Sequence, residues 1–163
     1  MSHAKIQNGY IEKRDDYDTS TLMNFIKNNL PSDMKIIYTI VPRGLVISVP
    51  SVEIFDEKSF EIKDGAKAFL IRIGNLIKHI KKPCVIEGNV LTQQENDELS
   101  NLELSIIRAE TLVEFLLKNS GIPTNKIQSI GFGEMSPFDD NVSYKEHLNR
   151  RIDFVILNYQ WSR

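Results

Sequence analysis

The sequence predicts an α/β (α+β) two-layer sandwich, a mixed β-sheet with two long helices on one face. Two long stretches, one from Asp64 to Ile80 and one from Ser100 to Leu116, repeat apolar residues at i, i+3, i+4 and i+7, the period of a helix with one buried stripe. Short β-branched runs precede, separate and follow them. The first two of these runs are joined by Pro42, Arg43 and Gly44, residues that supply turn geometry, so an antiparallel hairpin leads into the sheet. Alternating strands and long helices bury themselves by stacking as layers.

Taken in order, residues 1–17 carry few large apolar groups and read as a flexible leader, 18–158 as the domain with an N-terminal helix, and 159–163 as a tail. Leu22, Phe25, Ile26 and Leu30 follow the possible caps Asp18, Thr19 and Ser20, and Pro31 stops that short helix. Met34 to Val41 and Leu45 to Val49 form the hairpin strands, and Ile54 and Phe55 anchor the following loop on the core. Asp64 is expected to cap the first long helix, whose stripe is Ala66, Phe69, Leu70, Ile73, Leu76, Ile77 and Ile80, with Pro83 ending it. Val85 and Ile86 form a buried strand running into Gly88. Ser100 and Glu103 fit a capping box for the second long helix, with core stripe Ile106, Ala109, Leu112, Val113 and Leu116. Gly121 and Pro123 close it, and Ile127 to Phe132 and Ile152 to Leu157 are the last strands.

The chain has 163 residues, 41% of them hydrophobic, enough for one sizeable core. A net charge of -2, with both signs mixed among 26% charged residues, gives no basic field to attract nucleic acid. Cys84 is the one cysteine; its apolar neighbours Val85 and Ile86 make it a core residue, and an internal disulfide or a cysteine zinc site is excluded. No run of about 18 apolar residues is present, and Met1 to Lys13 lacks the apolar segment of a secretory signal. The chain therefore acts where it is made, or it is a piece of a longer exported or anchored protein. Gly131-x-Gly133 lacks the third glycine of a dinucleotide site and reads as a turn. His79 and His147 have no clustered acids, and no nucleophile, base and orienter come together, so neither a metal, a cofactor nor an enzymatic reaction is expected.

The most specific stretch is Ser100 to Ala109. Asn101, Ser105 and Arg108 lie at i, i+4 and i+7 and share one helical face near the helix N-terminus, where free N–H groups and the dipole favour an anion beside the Arg108 guanidinium. Periodicity alone favours the blander reading, with Arg108 pairing with a surface carboxylate and Asn101 with local backbone.

Asn101, Leu104-Ser105 and Arg108-Ala109 together resemble the motif of the OmpA-like peptidoglycan-binding domain family, and the fuller string Ser100 to Ser105 is similar to its MotB branch, the periplasmic domains of flagellar stator subunits. Gly44 to Ile47, Phe55-Asp56, Lys63 to Ala66, Gly131 to Glu134 with Pro137, and Asn149 to Arg151 agree in order, so the resemblance covers about residues 18–158. It implies an OmpA C-terminal-like fold and a non-catalytic wall anchor. Arg108 would hold a carboxylate of the diamino acid in the peptidoglycan stem; Asn101, Leu104, Ser105 and Asn89 would shape the pocket, and Arg150 would support its rim. It further implies a periplasmic setting, a homodimer, and a MotA-like partner only if a longer chain carries a membrane helix.

One departure stands out. The family usually has Gly-His-Thr-Asp where this chain has Gly88, Asn89, Val90 and Leu91. The lost acid leaves a ligand ammonium or amide without its acceptor, a cost of about 1–3 kcal/mol and about ten- to a hundredfold in affinity. Glu87, Glu95, Asp97 and Glu98 are candidate substitutes. The alternative function is a divergent domain that has lost wall binding and serves as a protein-interaction module.

Overall fold

The computed structural model describes residues 5–7, 10–12, 18–90, 96–134 and 150–159. Within the segment expected as a leader, Lys5–Gln7 (β1) and Tyr10–Glu12 (β2) pair as a small antiparallel ladder, which no periodicity announces. Asp18 caps α1 (Thr19–Asn29), its carboxylate accepting from the Thr21 amide at 2.7 Å, and Leu22, Phe25 and Ile26 enter the core. The hairpin follows as β3 (Ile37–Val41) and β4 (Gly44–Pro50), with Val41 opposite Gly44.

A 3-10 turn, Ser51–Glu53, leads to the buried Ile54 and Phe55. Asp64 does not cap the next helix. Asp64–Ala66 is itself a 3-10 turn, α2 begins at Lys67 and runs to Ile80, and no side chain caps it. The Asp64 carboxylate pairs with Lys67 at 2.8 Å instead, and that hydrogen bond holds it below the usual carboxylate range. β5 (Cys84–Asn89) is buried throughout, and burial pushes the Cys84 thiol up to about 12.

α3 (Asn101–Ser120) begins with the predicted capping box: Ser100 Oγ accepts from the Glu103 amide at 3.1 Å, and Glu103 Oε1 accepts from the Ser100 amide at 3.2 Å. Replacing Ser100 with alanine is expected to lower stability by about 1 kcal/mol, read as a shift in the urea midpoint. The buried stripe of α3 is Leu104, Ser105, Arg108, Ala109, Leu112 and Leu116; the expected Ile106 and Val113 are only half-buried at its edges. β6 (Ile127–Gly133) and β7 (Arg151–Leu157) complete the sheet.

The sheet order is β3-β4-β7-β5-β6, with β5 and β6 parallel and every other neighbouring pair antiparallel. The hydrophobic core lies between one face and α1, α2 and α3, where Leu45, Ile47, Ile86, Phe154 and Ile156 meet Leu70, Ile73, Leu112 and Leu116. On the second face Val46, Val85, Val155 and Leu157 cluster beside a buried polar layer. There Arg43 donates to both Glu87 oxygens at 2.6 and 2.8 Å, and Arg151 Nε lies 3.0 Å from Asp153. Desolvation raises the Asp153 carboxyl above its usual range even beside Arg151. Among the described residues no helix is long and apolar enough to cross a membrane.

Candidate ligand-binding site

Two glycines set how closely α3 lies on the sheet. A Cβ on Gly88 would fall 2.2 Å from the Ser105 carbonyl oxygen, and one on Gly131 would fall 2.5 Å from the Ile106 amide nitrogen. The Gly131-x-Gly133 pair, expected as a turn, is therefore strand, and its missing side chain at 131 admits a helix backbone. Ser105 is fully buried in this contact: its Oγ donates to the Leu102 carbonyl at 2.8 Å and accepts from the Gly133 amide at 2.9 Å. Helix and strand are bolted together one turn before Arg108.

Arg108 is 2% exposed. Its Nε donates to the Ser59 carbonyl at 2.8 Å, and its guanidinium carbon sits 5.4 Å from the centre of the Phe55 ring, within cation–π range. These contacts fix the guanidinium plane at a cavity of about 130 Å³ lined by Ser51, Val52, Phe55, Asp56, Glu57, Arg108 and Arg150. The opposite wall is the segment after β4, folded back on itself. Phe55 bridges Ile62, Lys63 donates from its amide to the Ile54 carbonyl and from Nζ to the Val52 carbonyl, and the Ser59 amide donates to the Asp56 carbonyl at 3.0 Å. The Ser51 amide donates to the Arg150 carbonyl at 2.7 Å, which ties this wall to the start of β7.

The structure thus brings Arg108 and Arg150 to one cavity, and the other expected site residues within the described residues do not line it. Ser105 and Leu104 are fully buried beneath, positioning α3. Asn101 opens the helix at half exposure and does not line the cavity. Asn89 is 2% exposed on β5 opposite Arg151, two residues from Glu87 on the second face of the sheet. Glu87 is committed to Arg43, and Asp97 lies 3.7 Å from Lys58. Leu91, Glu95, Pro137, His147 and Asn149 lie outside the described residues. Sequence reasoning missed Ser51, Val52 and Glu57; no periodicity marks them, because only the fold-back of residues 51–63 turns them towards Arg108.

Arg108 and Arg150 both line this small space, and a guanidinium fork matches the planar geometry of a carboxylate. Among the described residues no group of three or more histidine, cysteine or acidic side chains is placed to hold a metal ion. A larger cleft of about 570 Å³ lies at the C-terminal ends of α2 and α3 among Lys78, Lys81, Lys82 and Lys126. There Lys78 in the last turn of α2 and Lys81 at its C-cap offset the negative end of the helix dipole.

The OmpA family matches residues 54–151, more than half of the chain. The uncharacterized protein YtxE of Bacillus subtilis (strain 168) is 28% identical over 120 residues, which cover 70% of this chain and 48% of YtxE, so the chain spans about half the length of that relative. A putative MotB like protein from Desulfovibrio vulgaris superposes with a TM-score of 0.75 at 22% identity, covering 89% of this chain and 93% of that one. The cell wall anchor of the type VI secretion system from Pseudomonas aeruginosa superposes with a TM-score of 0.65 at 18% identity, covering 86% and 96%. These likenesses share the mixed sheet and its helices. With the motif from Asn101 to Ala109 falling inside the matched span and the strand order established, the chain belongs to the OmpA family.

Proposed function

We propose that this chain is a non-catalytic peptidoglycan-binding domain whose cavity at Arg108 and Arg150 takes a carboxylate of the diamino acid in the peptide stem. The observation that carries the reading is Arg108 itself. A guanidinium that is 2% exposed, held by Ser59 and Phe55 and lining one cavity with a second arginine, supports recognition of a carboxylate over decoration of a surface. Family membership supports it, as does the fold shared with a protein named as a cell wall anchor. The finer reading is the anchor of a MotB-like stator in the periplasm, acting as a homodimer in a longer, inner-membrane-anchored protein beside a MotA-like subunit. The putative MotB like neighbour supports that choice, while the secretion anchor shares the fold at a lower TM-score of 0.65 and serves a different machine.

Co-sedimentation with insoluble peptidoglycan tests the reading. The chain is expected to pellet with the wall material and Arg108→Ala to stay in the supernatant, a loss of at least tenfold in retention, since a charge-assisted pair contributes about 1.5–3 kcal/mol. A folded wild-type chain that never pellets contradicts it. The second reading, a protein-interaction module, is favoured by Leu91 in the usual acid position and by the exposed Leu102 and Ile130, and that outcome would put it first.

A further inference from the structure

The cleft at the C-terminal ends of α2 and α3 carries more positive charge than the helix ends beside it can balance. Four of its eight lining residues are lysines, Lys78, Lys81, Lys82 and Lys126, and its base includes the buried Ile77 and Ile122. Among the described residues no acid lines it. Each helix C-terminus carries about half a negative charge, so the two together balance about one ammonium and leave a surplus. In a chain of net charge -2 that surplus is local to this cleft. Lys81 stands at the C-cap of α2 with φ 60° and ψ 20°, the left-handed region where glycine is least strained; the end of α3 meets the same requirement with Gly121. A lysine there is less stable than glycine would be, and it sets a side-chain cation on the cleft. Lys82 Nζ donates to the Asn158 carbonyl at 3.3 Å, which ties this side of the cleft to the end of β7. The volume of about 570 Å³ lies within the range of small-ligand sites, about 300–1,000 Å³. Along α3 the cleft is about 20 Å from Arg108, by the helical rise from that residue to Gly121.

We propose that this cleft is a second anion site, which binds a phosphate-bearing ligand: Lys78, Lys81, Lys82 and Lys126 surround the phosphate oxygens, and the organic part rests on Ile77 and Ile122. Lysine ammoniums are compact point charges that suit the tetrahedral oxygens of phosphate, whereas the planar fork that matches carboxylate belongs to arginine, and no arginine lines this cleft. The phosphate is that of a lipid head group or of a soluble organic phosphate, which share this chemistry. The site is independent of the carboxylate seat at Arg108.

Amide NMR titration of the full chain with inorganic pyrophosphate, and with citrate as a carboxylate of comparable charge at the same ionic strength, tests the chemistry. Co-sedimentation with phosphatidylcholine vesicles, with and without phosphatidylglycerol, tests the lipid source. Pyrophosphate is expected to give saturable shifts at the Gly121, Ile122 and Lys126 amides, at lower concentration than citrate. Lys78→Gln with Lys126→Gln is expected to weaken that binding about tenfold. Lys35→Gln with Lys67→Gln, two lysines outside the cleft, and Arg108→Ala are each expected to leave it unchanged, with urea midpoints verifying that every variant is folded. Retention on phosphatidylglycerol vesicles that the Lys78, Lys126 variant loses assigns the phosphate to a lipid head group; pyrophosphate binding without such retention assigns it to a soluble phosphate. Engagement of the cleft by neither pyrophosphate nor these vesicles overturns the proposal, as does equal affinity for citrate, or wild-type affinity in the Lys78, Lys126 variant.

Discussion

Alanine at position 88 is expected to destabilise the chain by about 3 kcal/mol and to weaken ligand retention with it. The added Cβ would sit 2.2 Å from the carbonyl oxygen and 3.0 Å from the carbonyl carbon of Ser105, both backbone atoms with no rotamer to yield. Relief requires α3 to lift from β5, which strains the Ser105 hydroxyl bond to the Gly133 amide and opens the packing of Leu104 and Ala109. Overpacking of this kind typically costs about 1–3 kcal/mol, and a backbone clash belongs at the upper end. Arg108 lies one turn further along the same helix, so the lift also moves its guanidinium from Ser59 and Phe55. Gly65→Ala is the control: nothing lies within 4 Å of its Cβ, so stability should hold or rise slightly. Urea unfolding of both variants separates them, and equal midpoints would contradict the close approach.

Arg43→Ala is expected to cost about 3 kcal/mol although the arginine is 44% exposed, because the damage falls on its partner. The Glu87 side chain is 3% exposed and takes both hydrogen bonds from that guanidinium, which raises the arginine's own proton affinity. Removing one member of such a pair strands a buried charge, at a cost of about 3–5 kcal/mol, of which water reaching the vacated arginine site returns a part. Adding Glu87→Gln to Arg43→Ala removes the stranded charge, and most of the stability should return. A double variant as unstable as Arg43→Ala would show that arginine packing, rather than the carboxylate, is at stake.

The helices, the hairpin and the buried strands were legible because each rests on a local signal: apolar period, turn residues and caps. Asp18, Ser100 and Glu103 act as their positions predict. Asp64 does not, because an acid before a helix serves equally as a partner for a lysine three residues on, and the chain takes a 3-10 turn there. The α3 stripe was misjudged by one position at its edges. Leu104 is fully buried and Ile106 half-buried because glycines at 88 and 131 let the helix backbone, rather than long side chains, meet the sheet. The polar layer of the second face was invisible, since Arg43 and Glu87 meet across the sheet from distant parts of the chain. For the site, spacing put Arg108 on the polar face of α3, and Arg150 came only from the family resemblance of Asn149 to Arg151. The Ser51–Glu57 wall carries no periodic signal; it exists only once the loop folds back over Phe55.

The most direct test of the central claim, that the cavity between this loop and α3 receives a wall-derived ligand, is an NMR titration. The chain, labelled with nitrogen-15, would be titrated with solubilised stem-peptide fragments and shift changes followed at backbone amides and at the Arg108 Nε. Saturable changes concentrated at residues 51–59, the Arg108 side chain and Arg150, and abolished in Arg108→Ala, are expected. Saturable changes confined to the exposed face around Leu102 and Ile130, or to the lysine cleft at the far ends of α2 and α3, would contradict it.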